Sequence, residues 1–184
     1  MNFVVYHSAL RPFLELPDQA WAEFEASGRI KWASDLAEIP AKYGVTNVYG
    51  ELGTSFANSA VTSPKFAAAL IGTLVKGLGA DHVVWGTDTL WYGSPQWQIE
   101  AMRRLEIPED MQKKHGFKPL GSADGPVKRA IFAGNATRIY GLKPKVAQQG
   151  ITTDKIAAMK AEYLTAGGKR TNARYGYVAR SARA

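Results

Sequence analysis

The sequence predicts an α/β fold in which parallel strands alternate with crossing helices. Three observations carry that expectation. Short β-branched and aromatic runs recur at residues 3–7, 47–52 and 82–86, each the length of a buried strand. Between them the apolar residues fall at helical spacing, and strand–helix–strand order makes neighbouring strands parallel. The 184 residues are 46% hydrophobic and 11% aromatic, which suits one packed core and argues against disorder.

In chain order, Phe3-Val4-Val5-Tyr6-His7 reads as the first strand, with Ser8 and the loop to Pro12 behind it. Trp21, Phe24 and Glu25 lie in a helical pattern that Gly28 stops. Asp35 reads as the cap of a short helix through Leu36 and Ile39 to Tyr43. Asn47 to Leu52 is the second strand, and Gly53-Thr54-Ser55 its exit loop. Ser63-Pro64 opens a helix as N-cap and first-turn proline, where a missing N–H costs nothing. Phe66, Leu70, Leu74 and Leu78 then give that helix an apolar face up to Gly79.

His82 to Gly86 form the third strand, which runs into Thr87-Asp88. Ser94-Pro95 repeats the helix-opening pair, and Ile99, Met102 and Leu105 make a buried stripe ending before Pro108. Residues 108–125 read as loop, with Lys113-Lys114-His115 exposed within it. A closing helix runs from about Pro126 to Tyr140, with Gly141 as its stop. Residues 1–142 are one unit on this reading, and 143–184 hold an Asp154-capped helix and a basic tail.

Charge and composition narrow the function. The net charge is +7, but residues 1–142 carry fourteen basic and fourteen acidic side chains, so the excess sits in 143–184. A solvated basic extension is the expectation there, without nucleic acid or membrane as partner. The chain has no cysteine, which excludes disulfides and thiol catalysis. No apolar run reaches the length of a membrane span, and no signal peptide is visible at Met1. A cytoplasmic location is expected.

The candidate chemistry lies at strand ends. Asp88 is a carboxylate just past the third strand, at the edge of an α/β sheet where ligands and reactive groups gather. Its side chain could instead cap a turn. His7 ends the first strand. Trp85, Trp91 and Tyr92 surround Asp88 in sequence and could line an aromatic pocket, with Glu51 of the second strand as an acid of ambiguous direction. Three strands are few for a parallel sheet, and the first begins almost at residue 1. That pattern is expected of the back end of a longer chain.

Four segments resemble one family. Val4-Val5-Tyr6-His7, Asn47-Val48-Tyr49-Gly50-Glu51-Leu52, Val84-Trp85-Gly86-Thr87-Asp88 and Ala133-Gly134-Asn135-Ala136-Thr137-Arg138-Ile139-Tyr140 are similar to the C-terminal half of amidohydrolase-related metal-dependent hydrolases. The resemblance includes the branch of aminocarboxymuconate-semialdehyde decarboxylase-like enzymes. It implies strands six to eight of a (β/α)8 TIM barrel, about three βα units, followed by the closing helix.

The resemblance also implies site roles. Asp88 would bind or face one divalent metal ion, with zinc expected first and manganese next, and would take a proton from its water. His7 would stand near the ion and act on the substrate or the water. Such an ion lowers the pKa of bound water and polarises a substrate. The family's His-x-His pair and fifth-strand ligand have no counterpart, since His7, His82 and His115 are the only histidines. The chain is therefore expected to be incomplete, to bind the ion weakly and to be inactive alone.

Hydrolysis of an amide, ester or similar bond is the expected reaction, on a small-molecule substrate. Decarboxylation of an aromatic or unsaturated acid is its alternative. A short non-catalytic binding or assembly module with a basic tail, or a homo-oligomer completing a sheet, are the others.

Overall fold

A computed structural model describes residues 1–9, 17–143 and 154–168. The loop to Pro12, the stretch 144–153 and the basic tail lie outside the described residues. Strands β1 (Phe3–Val5), β2 (Val48–Glu51) and β3 (Val83–Val84) form one parallel sheet in the order β1-β2-β3. Phe3 pairs with Val48 and Val5 with Gly50, while Gly50 pairs with Val83 and Glu51 with Val84. Parallel strands in sequential order are what consecutive βα units produce, and the described residues do not close a barrel.

Helices α1 (Pro17–Ser27) and α2 (Ala33–Tyr43) join β1 to β2. Helices α3 (Gly53–Thr62) and α4 (Pro64–Leu78) join β2 to β3. After β3 come the single turn α5 (Thr89–Tyr92), α6 (Gln96–Arg104) and α7 (Glu109–His115). The closing run is α8 (Pro126–Arg129), a π turn at Ala130–Gly134, and α9 (Asn135–Ile139), with α10 (Lys155–Thr165) beyond. No helix among the described residues is long and apolar enough to cross a membrane.

The expected stops hold because they are local. Gly28 and Gly79 follow α1 and α4 at positive φ, and Asp154 caps α10 by accepting the Ala157 N–H at 2.7 Å. Asp35, by contrast, does not cap α2, which starts two residues earlier at Ala33 and holds Asp35 in its first turn. The α4 stripe is buried as its spacing requires: Phe66, Leu70, Leu74 and Leu78 all enter the core with Ile71, Phe56, Leu52 and Met102. Asn135 fastens the closing helix to the start of β3, donating from Nδ2 to the carbonyls of Ala80 (2.8 Å) and Val83 (2.7 Å).

The strands are shorter than expected. β3 stops at Val84 because the Trp85 N–H leaves the sheet and donates to the Ile131 carbonyl at 3.1 Å. That carbonyl lies in the π turn, where the Asn135 N–H reaches back to Ala130, so the widened register frees an acceptor for the sheet edge. Tyr6–Ala9 is not strand either: His7, Ser8 and Ala9 all take positive φ.

Two segments expected as loops are helical. Gly53-Thr54-Ser55 begins α3, whose small residues Ser55, Ala57, Ser59 and Ala60 are buried and give no large-residue periodicity to read. Within 108–125, Glu109 and Asp110 stand in the first turn of α7 and Lys113, Lys114 and His115 in its last, which complements the helix dipole. His115 is not exposed as expected. Its ring packs 4.5 Å from that of Phe24 and 5.5 Å from that of Phe117.

Burial, with the neighbouring charges of Lys114 and Lys76, holds the His115 pKa below the ordinary 6.5. The folded chain then binds this proton less readily than the unfolded one. Stability from His115 is fully present above pH 6.5 and is lost as pH falls from there to the folded pKa. His115→Phe should keep the ring packing and remove this component. Melts at about pH 7.5 and 5 should narrow the gap between variant and wild type toward acid, or reverse it. Parallel pH profiles would exclude the effect.

Candidate active site

The C-terminal ends of all three strands meet at one cluster. Glu51 is the last residue of β2, His7 lies two residues beyond β1, and Asp88 lies four beyond β3. His7 Nε2 stands 2.9 Å from Asp88 Oδ2, with the side chains 35% and 24% exposed. The sequence singles out both residues, and the fold brings them into hydrogen-bond contact.

Each is held by unusual backbone. His7 (φ 55°) and Asp88 (φ 46°) both adopt the left-handed conformation, which costs a non-glycine residue about 1–3 kcal/mol. On the His7 side the cost is offset by two bonds to β2. The His7 N–H donates to Glu51 Oε2 at 3.1 Å, and Ser8 Oγ donates to the Glu51 carbonyl at 2.8 Å.

Asp88 occupies the cap position of α5, but its side chain makes no cap bond there. It reaches across to α3 instead. Oδ2 accepts the Thr54 N–H at 2.9 Å and the Thr54 hydroxyl at 2.6 Å. A carboxylate at a helix N-terminus meets the free N–H groups and the positive end of the dipole.

Glu51, whose direction the sequence leaves open, points under the pair and is 7% exposed. Burial raises its pKa, as does the charge of Asp88. The backbone N–H groups of His7 and Gly53 and the His7 ring oppose the rise. The carboxylate is thus a brace between the three strand ends. Two glycines make room for it. A Cβ on Gly86 would sit 1.4 Å from Glu51 Oε1, and one on Gly53 would sit 2.8 Å from His7 Cδ2 and 3.1 Å from Asp88 Oδ2.

The aromatic residues do not join the cluster in the same way. Trp85 packs inward against Phe56 and Phe132, with ring centroids at 5.5 and 4.7 Å. Trp91 is 80% exposed, and the Tyr92 carbonyl accepts Trp97 Nε1–H at 3.3 Å. The backbone N–H groups of Trp91 and Tyr92 donate to the Asp88 carbonyl at 2.9 and 3.2 Å, but among the described residues no side chain of the three makes a hydrogen bond or ring contact with the side chain of His7 or Asp88. His82 lies at the opposite end of β3, bonded through Nε2 to the Thr46 carbonyl at 2.9 Å and stacked on Tyr49.

Sequence reasoning misses Thr54 and Ser8. Both are small hydroxyl residues beside a strand end, and that position was the only available signal.

For a divalent ion the donor set is short. Among the described residues no group of three or more His, Cys, Asp or Glu side chains could hold one, whereas hydrolytic centres use three or more protein ligands. His7 and Asp88 are two, and the Glu51 carboxylate is committed to backbone N–H groups. These residues alone do not fit a complete metal centre.

A family model described as amidohydrolase matches residues 31–142, more than half of the chain. The match contains Glu51, Thr54 and Asp88, and His7 lies before it. No curated protein and no solved structure matches.

Proposed function

The chain belongs to the amidohydrolase family, and from that premise we propose that it serves as a hydrolase acting on a carbonyl compound such as an amide or ester. The observation that carries the reading is the 2.9 Å contact of His7 Nε2 with Asp88 Oδ2 at the strand ends. With Nε2–H donated to the carboxylate, the lone pair of the neutral ring is on Nδ1.

In this reading a water attacks the carbonyl carbon while Nδ1 takes its proton. Asp88 stabilises the imidazolium that forms, and His7 returns the proton to the leaving nitrogen or oxygen as the C–N or C–O bond breaks. Zinc or another divalent ion is the cofactor that the resemblance implies, and His7 and Asp88 are the side chains here that would face it. The two do not make a complete centre by themselves.

The test is a substrate panel of cyclic amides, esters and aromatic carboxylates, run with and without added zinc on the wild type, His7→Ala and Asp88→Asn. Amide or ester cleavage that both substitutions remove is the expected result. Cleavage that survives both would overturn the roles of the pair. Release of carbon dioxide from an aromatic carboxylate without amide or ester cleavage would turn the reading to decarboxylation, as in the aminocarboxymuconate-semialdehyde decarboxylase-like branch.

A further inference from the structure

We propose that Thr54 is a positioning residue that pins the Asp88 carboxylate so that Oδ2 stays on His7 Nε2. The inference rests on the reading of His7 as the acid–base group and Asp88 as its partner. Three donors converge on Oδ2: the Thr54 N–H at 2.9 Å, the Thr54 hydroxyl at 2.6 Å and His7 Nε2 at 2.9 Å. A carboxylate oxygen offers about two lone-pair sites, so Oδ2 is saturated. Among the described residues no donor bonds to Oδ1. A carboxylate free to rotate would present either oxygen; this one is pinned.

The two contributions of Thr54 differ in kind. Its N–H belongs to the first turn of α3 and would be supplied by any residue there except proline. The hydroxyl is particular to the side chain. It is also the shortest of the three contacts, and Thr54 is buried, so water does not readily replace it. The β-branch restricts χ1 and holds the donor in place. Without it, Asp88 keeps one helix N–H and His7, and the carboxylate plane is no longer fixed by two donors from the same residue.

Three substitutions separate positioning from simple support. Thr54→Ser keeps the hydroxyl, Thr54→Val removes it at nearly constant volume, and Thr54→Ala removes it without a second methyl group. Two readouts are taken on the whole chain. One is turnover of the best amide or ester substrate. The other is the NMR signal of the His7 Nε2 proton, with Asp88→Asn as the variant that should lose it.

Thr54→Val and Thr54→Ala should broaden or shift the His7 signal and lower kcat by about 10–100-fold, the scale of a misplaced reacting group. KM should stay within about 3-fold, and Thr54→Ser should restore both readouts. A His7 signal unchanged in Thr54→Ala would overturn the proposal, as would a Thr54→Ser variant that behaves like alanine. If no variant, wild type included, turns over any substrate, the hydrolase reading falls, while the His7 signal still decides whether Thr54 pins the pair. If Thr54→Val does not fold, the alanine and serine pair carries the comparison.

Discussion

Gly86→Ala should lower turnover by about 10²–10⁴-fold without altering either member of the candidate pair. The new Cβ would lie 1.4 Å from Glu51 Oε1 and 2.6 Å from its Cδ, so the carboxylate must leave its place. The end of a glutamate is usually cheap to move. Here it is buried and accepts the N–H groups of His7 and Gly53. Each donor stranded in a dry site costs about 1–3 kcal/mol, and overpacking adds a similar amount. A net destabilisation of about 2–4 kcal/mol is expected.

The effect on activity follows from geometry. Losing the Glu51 bond releases the strained turn at His7, and the 2.9 Å contact with Asp88 opens. Turnover should fall by about 10²–10⁴-fold, the usual contribution of a positioned acid–base group. Adding Glu51→Ala to Gly86→Ala should recover part of the stability and none of the activity, because it relieves the clash without restoring the brace. The two stability effects should therefore be strongly non-additive. Urea melts and turnover of the four proteins test this. A Gly86→Ala protein as stable and active as the wild type would show that the carboxylate has another place to go.

Lys128→Ala should cost about 3–5 kcal/mol, although the residue looks like a surface lysine in the sequence. It is 1% exposed. Nζ donates to the Arg103 carbonyl at 3.0 Å and the Leu105 carbonyl at 2.8 Å, tying the end of α6 to α8. Burial lowers its pKa, with the Arg103 charge acting the same way and Glu106 opposing. The charge is therefore held at a desolvation cost that the carbonyls offset.

Alanine would leave both carbonyls without this donor and empty the space of the aliphatic stem. Lys128→Met keeps the stem and should recover the packing share, leaving about 2 kcal/mol from the carbonyls. Denaturant melts would separate the two terms. A variant within about 0.5 kcal/mol of wild type, the range of an ordinary surface change, would assign the lysine no structural role.

Much of the architecture was legible because it is local. Strand runs, the Ser63-Pro64 and Ser94-Pro95 openings, the glycine stops and the Asp154 cap depend on residues within a few positions of one another. The α3 segment was not legible. Apart from Phe56 its buried face is made of small residues (glycine, threonine, serine and alanine), and it becomes a helix against the core without a stripe of large residues. The α7 segment carried a readable dipole pattern in its charges, but its polar composition pointed to loop.

The site divides the same way. That His7 and Asp88 stand at strand ends is a property of the chain order, because parallel strands send their C-terminal ends to one edge of the sheet. The sequence by itself determined the α/β order, the helix stops and these two residues. Only the tertiary structure decided that Glu51 braces His7 across 44 residues, that Thr54 saturates one oxygen of Asp88 across 34, and that Lys128 and His115 are drawn inward. Propensity and spacing are short-range quantities, whereas a hydrogen bond between distant segments exists only once packing has fixed both its ends.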